Sequence, residues 1–405
     1  MYTKELLAAV AAFGLFSGAA AVGCKDDPVK INNQADADQI SKCKSVDNDI
    51  VLDANAGPAI DLGGSLTEIK GSLIVKSNGY IQTLQSSSLQ TIGNIFQLQN
   101  VTTLNSVIFP KLGEVGSIDW STLPRLPEPT FGTPGITKAN SVSIQDTFIQ
   151  NLNGINVQEV TDLMLANNRR LTKFSSSIKT LSNVMVISAN GLDLDVEVPN
   201  LQWIANMTIA NVSSFSIPSL HTVNGSMRFD SNYFDSFIAP NLTEFQDGDL
   251  SFVSNPKLTN ISFPQLEKIG GGMTIANNTQ LEKIDGFNSL KEIGGAIIMR
   301  GSFDSIDLPA LEDVVGTAQF ISTGNITESC DKLNEYSGGV IQGKITRCKG
   351  GDAGANNDTS GAPSGDDGDN GSGNDNDHSA ASLAGVSMPT LVSLASVAGL
   401  VAMFL

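Results

Sequence analysis

A module of about 22 residues returns along most of this chain, between residues 66 and 323. Its best copy, residues 263–284, reads Phe-Pro-x-Leu-x-x-Ile-x-Gly-x-Met-x-Ile-x-Asn-Asn-x-x-Leu-x-x-Ile. The opening element Leu-x-x-Ile/Val/Phe recurs at spacings of 19 to 24 residues. It begins at Leu66, Leu89, Leu112, Leu201, Leu220, Leu242, Leu266, Leu290 and Leu311, with weaker copies near Ile136, Val157 and Ile178. A period of this size is typical of a solenoid.

A short alternating run follows each opening element, as in Met207-x-Ile209 and Met273-x-Ile275. Period-2 alternation predicts strands with one face turned inward, and each strand is too short to be stable alone. Stacked coils share hydrogen bonds and bury a continuous core. The predicted fold is all-β: a parallel β-helix or leucine-rich-repeat-like solenoid of about twelve coils. At roughly 4.8 Å per rung, the rod is about 55 Å long.

Three residue types recur at fixed places and predict the corners of each coil. An asparagine just past the strand can bond its own turn and the next rung, which favours an asparagine ladder. Proline lacks a backbone donor and suits a corner before the opening leucine, and glycine suits another corner. The asparagines are Asn78, Asn168, Asn190, Asn232, Asn255 and Asn278. The prolines are Pro110, Pro199, Pro218, Pro240, Pro264 and Pro309, and the glycines include Gly71, Gly93, Gly116, Gly225, Gly271, Gly294 and Gly316.

The N-terminus has the pattern of a secretory signal peptide. Lys4 precedes an apolar run over residues 6–16, and small residues over 18–23 supply a cleavage site. A buried N-terminal helix is the alternative. Cleavage near residue 21 or 23 leaves Cys24 in the mature chain.

The C-terminus indicates a GPI-attachment signal. Residues 350–379 are rich in Gly, Asn and Asp and are predicted to be a disordered stalk. Residues 380–405 end in an apolar stretch that is short for a membrane span and has no basic flank, which favours a removable propeptide. The candidate attachment residues are Ser379, Asn376 and Gly373. A tail-anchored span is the alternative.

The four cysteines lie on either side of the repeats. Four cysteines allow three pairings, and pairing within each end requires no contact across the rod. We therefore predict the disulfides Cys24–Cys43 and Cys330–Cys348, which cap a solenoid made in an oxidising compartment. A zinc site is the rival interpretation, but no Cys-x-x-Cys spacing exists.

These features give one predicted organisation. It comprises a signal peptide (1–23), an N-terminal cap (24–65), the repeat solenoid (66–323), a C-terminal cap (324–349), the stalk (350–379) and the GPI propeptide (380–405).

Charge and sequons fit a secreted glycoprotein. The formal net charge is −18, and the sequence contains no basic stripe of the kind that nucleic acid binding requires. Ten Asn-x-Ser/Thr sequons predict exposed glycan acceptors. They are Asn100, Asn206, Asn211, Asn224, Asn241, Asn260, Asn277, Asn325, Asn357 and Asn370. Asn277 is the least secure of them, because it can instead belong to the asparagine ladder.

Candidate catalytic groups are few. A Ser-His-Asp or Cys-His arrangement would have to use His221, since the only other histidine, His378, lies in the stalk. Asp193, Asp195 and Glu197 alternate with apolar residues and so share one strand face, where two carboxylates can hydrolyse a glycosidic bond. A solvated outer face is the favoured interpretation.

Further acids near other strands can extend this patch if the coils align: Asp119, Asp162 and Asp230.

Candidate ligand contacts are equally sparse. Arg169 and Arg170 occupy a corner and are expected to be a solvated turn. Four aromatic residues can stack on sugar rings if they are exposed, namely Trp120, Trp203, Phe229 and Tyr233, but inward packing is expected for Trp203 and Phe229. The proline-rich stretch 121–135 breaks the repeat and is expected to be a surface loop. No phosphate-binding glycine loop or nucleotide fingerprint is present, so no cofactor is predicted.

The signal peptide, paired cysteines, Leu-x-x-Ile-x-Gly-x-Met-x-Ile coils, sequons and GPI tail together resemble one family. These are the fungal GPI-anchored cell-wall organisation proteins, related to sporulation-specific wall proteins, whose repeats are similar to the parallel β-helical L domains of growth-factor receptors. The resemblance covers about residues 24–348 and implies a glycoprotein of the plasma membrane and wall, needed for wall integrity. It implies no catalytic residue. The stalk departs from the family because it lacks a Ser/Thr-rich stretch.

The favoured function is therefore a non-enzymatic scaffold or binding module at the cell surface, held by a GPI lipid, with wall polysaccharide or mannoproteins as partners. The alternatives are a β-helical polysaccharide lyase or hydrolase and a receptor-like module for a secreted ligand.

Overall fold

The computed structural model describes residues 22–357. Several predicted features lie outside the described residues. These are the signal peptide up to residue 21, the stalk beyond residue 357, the propeptide, the sequon at Asn370 and all three candidate anchor residues. Within residues 22–357, no helix has the length and apolarity required to span a membrane.

Residues 22–357 form thirty-three strands and two short helices. The first third contains β1 (Val29–Ile31), α1 (Gln34–Ile40), β2 (Ser45–Val46), β3 (Ile50–Leu52), β4 (Ala59–Asp61), β5 (Glu68–Ile69), β6 (Leu73–Lys76), β7 (Thr83–Gln85), β8 (Thr91–Gln99), β9 (Ser106–Phe109), β10 (Glu114–Leu123) and β11 (Pro129–Phe131). The middle contains β12 (Ser141–Thr147), β13 (Glu159–Ala166), β14 (Lys173–Ser175), β15 (Thr180–Ser188), β16 (Asp195–Glu197), β17 (Trp203–Ala210), β18 (Ser214–Ser216), β19 (Thr222–Val223), β20 (Met227–Asp230), β21 (Ser236–Ile238), β22 (Glu244–Phe245) and β23 (Leu250–Val253). The remainder contains β24 (Asn260–Ser262), β25 (Lys268–Ile269), β26 (Met273–Asn278), β27 (Lys283–Ile284), β28 (Glu292–Ile293), β29 (Ile297–Gly301), β30 (Ser305–Ile306), β31 (Asp313–Val314), β32 (Ala318–Ser322), α2 (Thr327–Glu335) and β33 (Ile345–Lys349).

Every strand pairing is parallel within the described chain, which confirms the predicted parallel solenoid. Each coil has three faces. The opening face holds the short strands at the Leu-x-x-Ile element, such as β19, β22 and β25. The broad face holds the alternating runs, such as β20, β23 and β26, and the third face holds strands such as β21 and β24. The solenoid has about 14 turns rather than about twelve, because strands of both predicted cap segments join the same stack.

The interior is one continuous apolar column. All nine strong opening leucines are at most 5% exposed, since the element turns them into the coil. The column becomes aromatic in the C-terminal half, where Phe229 stacks on Phe252 with centroids 4.6 Å apart and Phe263 stacks on Phe287 at 5.4 Å. Inward side chains thus repeat from coil to coil, and a change at one rung alters its two neighbours.

The predicted asparagine ladder is present at the corner between the broad and third faces. The residue before each ladder position has a φ between 49° and 59°, which turns the chain sharply. Within the longest run, Asn232 Nδ2 donates to Asn255 Oδ1 at 3.0 Å, and Asn255 Nδ2 donates to Asn278 Oδ1 at 3.0 Å. All six predicted ladder asparagines are buried. Asn277 is not one of them: it takes the positive-φ position, and its Nδ2 donates to Ser254 Oγ.

Proline and glycine shape the other two corners. The opening leucine closes a turn around the preceding proline, as where Leu220 N donates to Ile217 O at 3.2 Å. At the corner between the opening and broad faces, successive coils come into backbone contact. A Cβ built on Gly248 would lie 1.9 Å from the carbonyl carbon of Gly225, so only glycine fits there.

Both ends carry the predicted cysteine pairs, Cys24–Cys43 and Cys330–Cys348. At the N-terminal end α1 packs against β1 and β4. At the C-terminal end, residues 350–357 were predicted to begin the stalk but form turns against the last coils. There Asp352 N donates to Ser322 O at 2.9 Å, and Asn356 Nδ2 donates to Ser302 Oγ at 3.0 Å.

Candidate functional site

The three acids Asp193, Asp195 and Glu197 (the acid trio) do not share one strand face as predicted. Asp195 and Glu197 lie on the outward side of β16 on the third face, whereas Asp193 is exposed in the turn before it. Leu194, Val196 and Val198, which alternate with it, are fully buried. Glu197 carries an ion pair with Lys173 at 3.4 Å, and both side chains are well exposed. An exposed pair of this kind contributes about 0–1 kcal/mol. The arrangement is that of a solvated outer face, as favoured from the sequence.

The other three acids do not extend this trio, because they project from the broad face. Asp119 Oδ2 accepts from Gln97 Nε2 at 2.6 Å, and Asp162 Oδ1 accepts from Asn183 Nδ2 at 2.5 Å. Burial raises the pKa of Asp230, and the nearby charge of Arg228 opposes that rise. The predicted extension of the acidic patch is wrong, because the two sets of acids stand on different faces of the coil.

His221 is exposed at the start of an opening-face strand. Its Nδ1 lies 2.6 Å from Ser219 O, and since a carbonyl only accepts, Nδ1 carries the proton. This contact holds the imidazole on its own turn. Among residues 22–357, no three His, Cys, Asp or Glu side chains are grouped so as to hold a metal ion.

Two other candidate ligand sites from the sequence, the arginine corner and the stretch 121–135, are parts of the coil structure. Arg169 and Arg170 form an exposed turn, where the guanidinium of Arg170 lies over the ring of Phe148 at 5.1 Å. The stretch 121–135 is not a free loop. Its strand β11 pairs with β9 on the third face, and Leu126 is fully buried.

Two of the four candidate aromatic residues are excluded as sugar contacts by burial. Trp120 is fully buried and makes an edge contact with Phe96 at 5.4 Å. Phe229 is also fully buried, as expected. Tyr233 is half-buried beside ladder residue Asn232, at a corner rather than on a strand face.

Trp203 faces outward on the opening face and is partly exposed, so the expected inward packing is wrong. Counting back in twos from buried Met207 places Trp203 inside. The alternation instead breaks before Met207, because the consecutive residues Ile204 and Ala205 are 0% and 6% exposed. Trp203 is the residue before Ile204 in the opening element Leu201-x-x-Ile204, whose leucine and isoleucine are both buried, so the ring takes the outward position that threonine holds on the neighbouring rungs. The register with the preceding strand shifts at the same place. An irregularity of one residue moves every side chain before it to the other face.

Most of the side chains around this ring are small or neutral and polar. Trp203 pairs in register with Thr180 on one neighbouring rung and with Thr222 on the other, and both threonines are partly exposed. Gln202 and His221 precede Trp203 and Thr222 and are exposed; His221 N donates to Gln202 O at 3.0 Å, which makes them neighbours. On the other side, Lys179 is exposed and its carbonyl oxygen accepts from Gln202 N at 2.9 Å, so one lysine also borders this surface. The result is a partly exposed indole surrounded mainly by hydroxyl, amide and imidazole groups.

The opening face becomes charged toward the C-terminal end. There Lys268 pairs with Glu292 at 3.1 Å, and Lys291 pairs with Glu267 at 3.2 Å. These acids and bases alternate from rung to rung, so their charges largely cancel within the protein. The surface around Trp203 is therefore chemically distinct from the rest of its own face.

The described sequons avoid the outward positions of the opening face. Asn206 stands where the broad face begins, Asn224 on the corner before it, and Asn241 on the corner before the opening face. Asn100, Asn211 and Asn277 occupy the positive-φ corner, Asn260 opens a third-face strand, and Asn325 and Asn357 follow the last coils. None of these nine asparagines is buried. Their glycosylation stays a prediction.

Comparison with known proteins supplies the remaining context. No family model matches the chain, and no solved structure matches it. The chain is 37% identical to protein ecm33 of Aspergillus fumigatus over 82% of each chain. It is 37% identical to a cell surface GPI-anchored protein of Arthroderma benhamiae, over 85% of this chain and 87% of the relative. It is 34% identical to sporulation-specific protein 2 of Saccharomyces cerevisiae, over 81% of this chain and 65% of the relative. The resemblance inferred from the repeats is thereby confirmed.

Proposed function

Because this chain belongs to the family of fungal GPI-anchored cell-surface and cell-wall proteins, we propose that it is a non-enzymatic scaffold in cell-wall organisation. It works at the cell surface, as the names of its relatives indicate for theirs. The observation that carries the proposal is the rod itself. About 14 hydrogen-bonded coils present long, rigid, solvated faces, and solenoids typically bind partners along such faces.

The surface chemistry supports binding rather than catalysis. Glycoside hydrolysis needs two carboxylates on either side of the scissile bond, one of them held protonated. The acid trio offers no such environment, since Glu197 is exposed and paired with a lysine. His221 is held by its own turn. The named relatives carry no enzyme name.

The partners follow from the location. We assign wall polysaccharide or mannoprotein to the lateral faces of the rod and the outer leaflet of the plasma membrane to a GPI lipid attached at Ser379, Asn376 or Gly373.

Removing the anchor signal tests this function. A chain ending before residue 373 is expected to appear in the medium, and cells that make only this form are expected to become sensitive to wall-perturbing dyes. The control restores an anchor from an unrelated transmembrane protein. Full wall integrity with the secreted form alone would contradict the scaffold role.

A product assay tests the absence of catalysis. Glucan, chitin and mannan are incubated with the purified protein, and soluble products are analysed by mass spectrometry. No new oligosaccharide is expected. Products that disappear with Asp193→Ala/Asp195→Ala would identify a β-helical carbohydrate enzyme instead.

A further inference from the structure

We propose that Trp203 and the neutral polar side chains around it form a binding platform for an uncharged polysaccharide chain. This inference rests on the proposed scaffold function and deepens it, because it names the face and the chemical class of the partner. The platform consists of Trp203, Thr180, Thr222, Gln202 and His221 on adjacent rungs of the opening face.

The placement of the indole is the first argument. The outward positions that pair in register with it along this column are otherwise hydrophilic: Glu159, Thr180, Thr222, Glu244, Lys268 and Glu292. Among the described residues of that column, Trp203 alone is aromatic. The opening element, with Leu201 and Ile204 fully buried, turns the ring out instead of into the apolar column. A large aromatic surface left partly in water is available to stack on another apolar surface.

The surroundings of the ring match a sugar. A pyranose ring has an apolar face of C–H groups and a rim of hydroxyls. The indole fits the apolar face, and the hydroxyl and amide groups beside it can donate to and accept from the rim. Both threonines are short, so they leave the ring accessible from either side along the rod. Rungs lie about 4.8 Å apart, a spacing comparable to the advance of one sugar in an extended chain.

The distribution of charge favours a neutral polysaccharide. Thr180 and Thr222, which adjoin the ring in register, are uncharged, and Lys179, which precedes Thr180, is the one charged side chain among the residues before these positions on the three rungs. Where the opening face does become charged, acids and bases pair with each other, as Lys268 does with Glu292. An anionic polymer would find no row of unpaired bases on this face, since binding such polymers needs a basic stripe.

The sequons leave this face open. None of the nine described sequon asparagines takes an outward position on the opening face, although Asn206 lies in the same strand as Trp203, where that strand enters the broad face. Asn206 and Asn224 stand on the margin next to the platform, and Asn206 Oδ1 accepts from Ser226 N at 3.0 Å. A glycan at either position would border the platform and limit the width available to a bound chain.

Tryptophan fluorescence tests the platform directly, because the chain has only two tryptophans and Trp120 is fully buried. The full-length glycosylated protein is titrated with neutral oligosaccharides of β-linked glucose, of N-acetylglucosamine and of mannose. We expect one series to shift the emission of the wild type and to protect it from acrylamide quenching. The Trp203→Phe variant, whose only indole is Trp120, is expected to show neither effect.

Retention on insoluble glucan, chitin and mannan gives the affinity. Trp203→Ala is expected to weaken binding to one polymer about tenfold, the loss of roughly one aromatic stacking contact, and Trp203→Phe by less. Tyr80→Ala is the matched control, because Tyr80 is 60% exposed near the N-terminal end and away from the platform. Thermal unfolding establishes that all three variants are folded.

The outcomes distinguish failure of the Trp203 platform from failure of the scaffold function. Equal retention of wild type and Trp203→Ala on a polysaccharide would overturn the platform and leave the scaffold function in place. Retention of neither on any polymer, with mannoprotein captured instead, would also overturn the platform. If anchor removal had no effect on the wall, the scaffold function itself would fail.

Discussion

The asparagine ladder makes the most quantitative prediction, at Asn255. This side chain is fully buried in the middle of a run of three. Its Oδ1 accepts from Asn232 N at 2.9 Å and from Asn232 Nδ2 at 3.0 Å. Its Nδ2 donates to Phe229 O at 3.1 Å and to Asn278 Oδ1 at 3.0 Å. The side chain therefore links three successive coils.

Asn255→Val is the informative change, because valine already fills the equivalent corner position at Val101 and Val212. Steric strain is therefore small, and the cost is in hydrogen bonding. The substitution leaves the buried Asn232 N–H without its acceptor, which costs about 1–3 kcal/mol, and removes further bonds worth about 1 kcal/mol each. We expect the free energy of unfolding to fall by about 3 kcal/mol, a large fraction of the 5–15 kcal/mol typical of a domain.

Urea unfolding followed by circular dichroism measures the loss. Native-state hydrogen exchange shows whether it is local, since long repeat arrays need not unfold in one step. The matched control is Asn153→Val, at an exposed asparagine, which is expected to change stability by less than about 0.5 kcal/mol. A loss at Asn255 no larger than at Asn153 would refute the reasoning, because it would mean that the ladder bonds only replace bonds to water.

Three further changes test other parts of the structure. Gly248→Ala is expected to destabilise the protein by several kcal/mol, on the order of a severe packing defect, whereas Gly113→Ala, where a Cβ meets nothing within 4 Å, is a nearly neutral control in the same unfolding assay. Cys330→Ser/Cys348→Ser opens a loop with a sequence separation of 18 and is expected to cost about 3 kcal/mol, with hydrogen exchange rising in the last coils first. Burial raises the pKa of Asp230 above its ordinary value of 3.8. Below pH 3.8 the carboxyl is protonated in both the folded and the unfolded protein, so no stability is lost. The loss of stability grows as the pH rises and is complete once the pH exceeds the folded-state pKa. Asp230→Asn is therefore expected to stabilise the protein at pH 7 but not at pH 3, and an equal effect at both values would contradict this.

Inward positions were predictable from the sequence because the repeat constrains them. Leu266 and its equivalents must fill the same place in every coil, so chemistry and spacing recur together. The corner asparagines follow the same logic. The ambiguity between Asn277 and Asn278 arose because adjacent asparagines occupy two different corner roles: one takes a positive φ, and the next points inward to bond the neighbouring coils. Both roles favour asparagine, so composition alone does not separate them.

The residue types at outward positions were not predictable in the same way, because the repeat fixes where these positions lie but not what occupies them. Trp203 shows the physical reason. Period-2 counting from the well-defined run Met207-x-Ile209 assigns it to the core, whereas the opening element Leu201-x-x-Ile204 assigns it to the outside, and the structure follows the opening element. The count fails because the corner between the opening and broad faces differs by one residue from coil to coil, and similar register shifts occur in neighbouring coils. The repeat therefore tolerates such an irregularity at each corner while keeping the interior intact. A rod built this way can change a face one residue at a time without losing its fold, and that freedom allows one rung to present an indole where its neighbours present threonine.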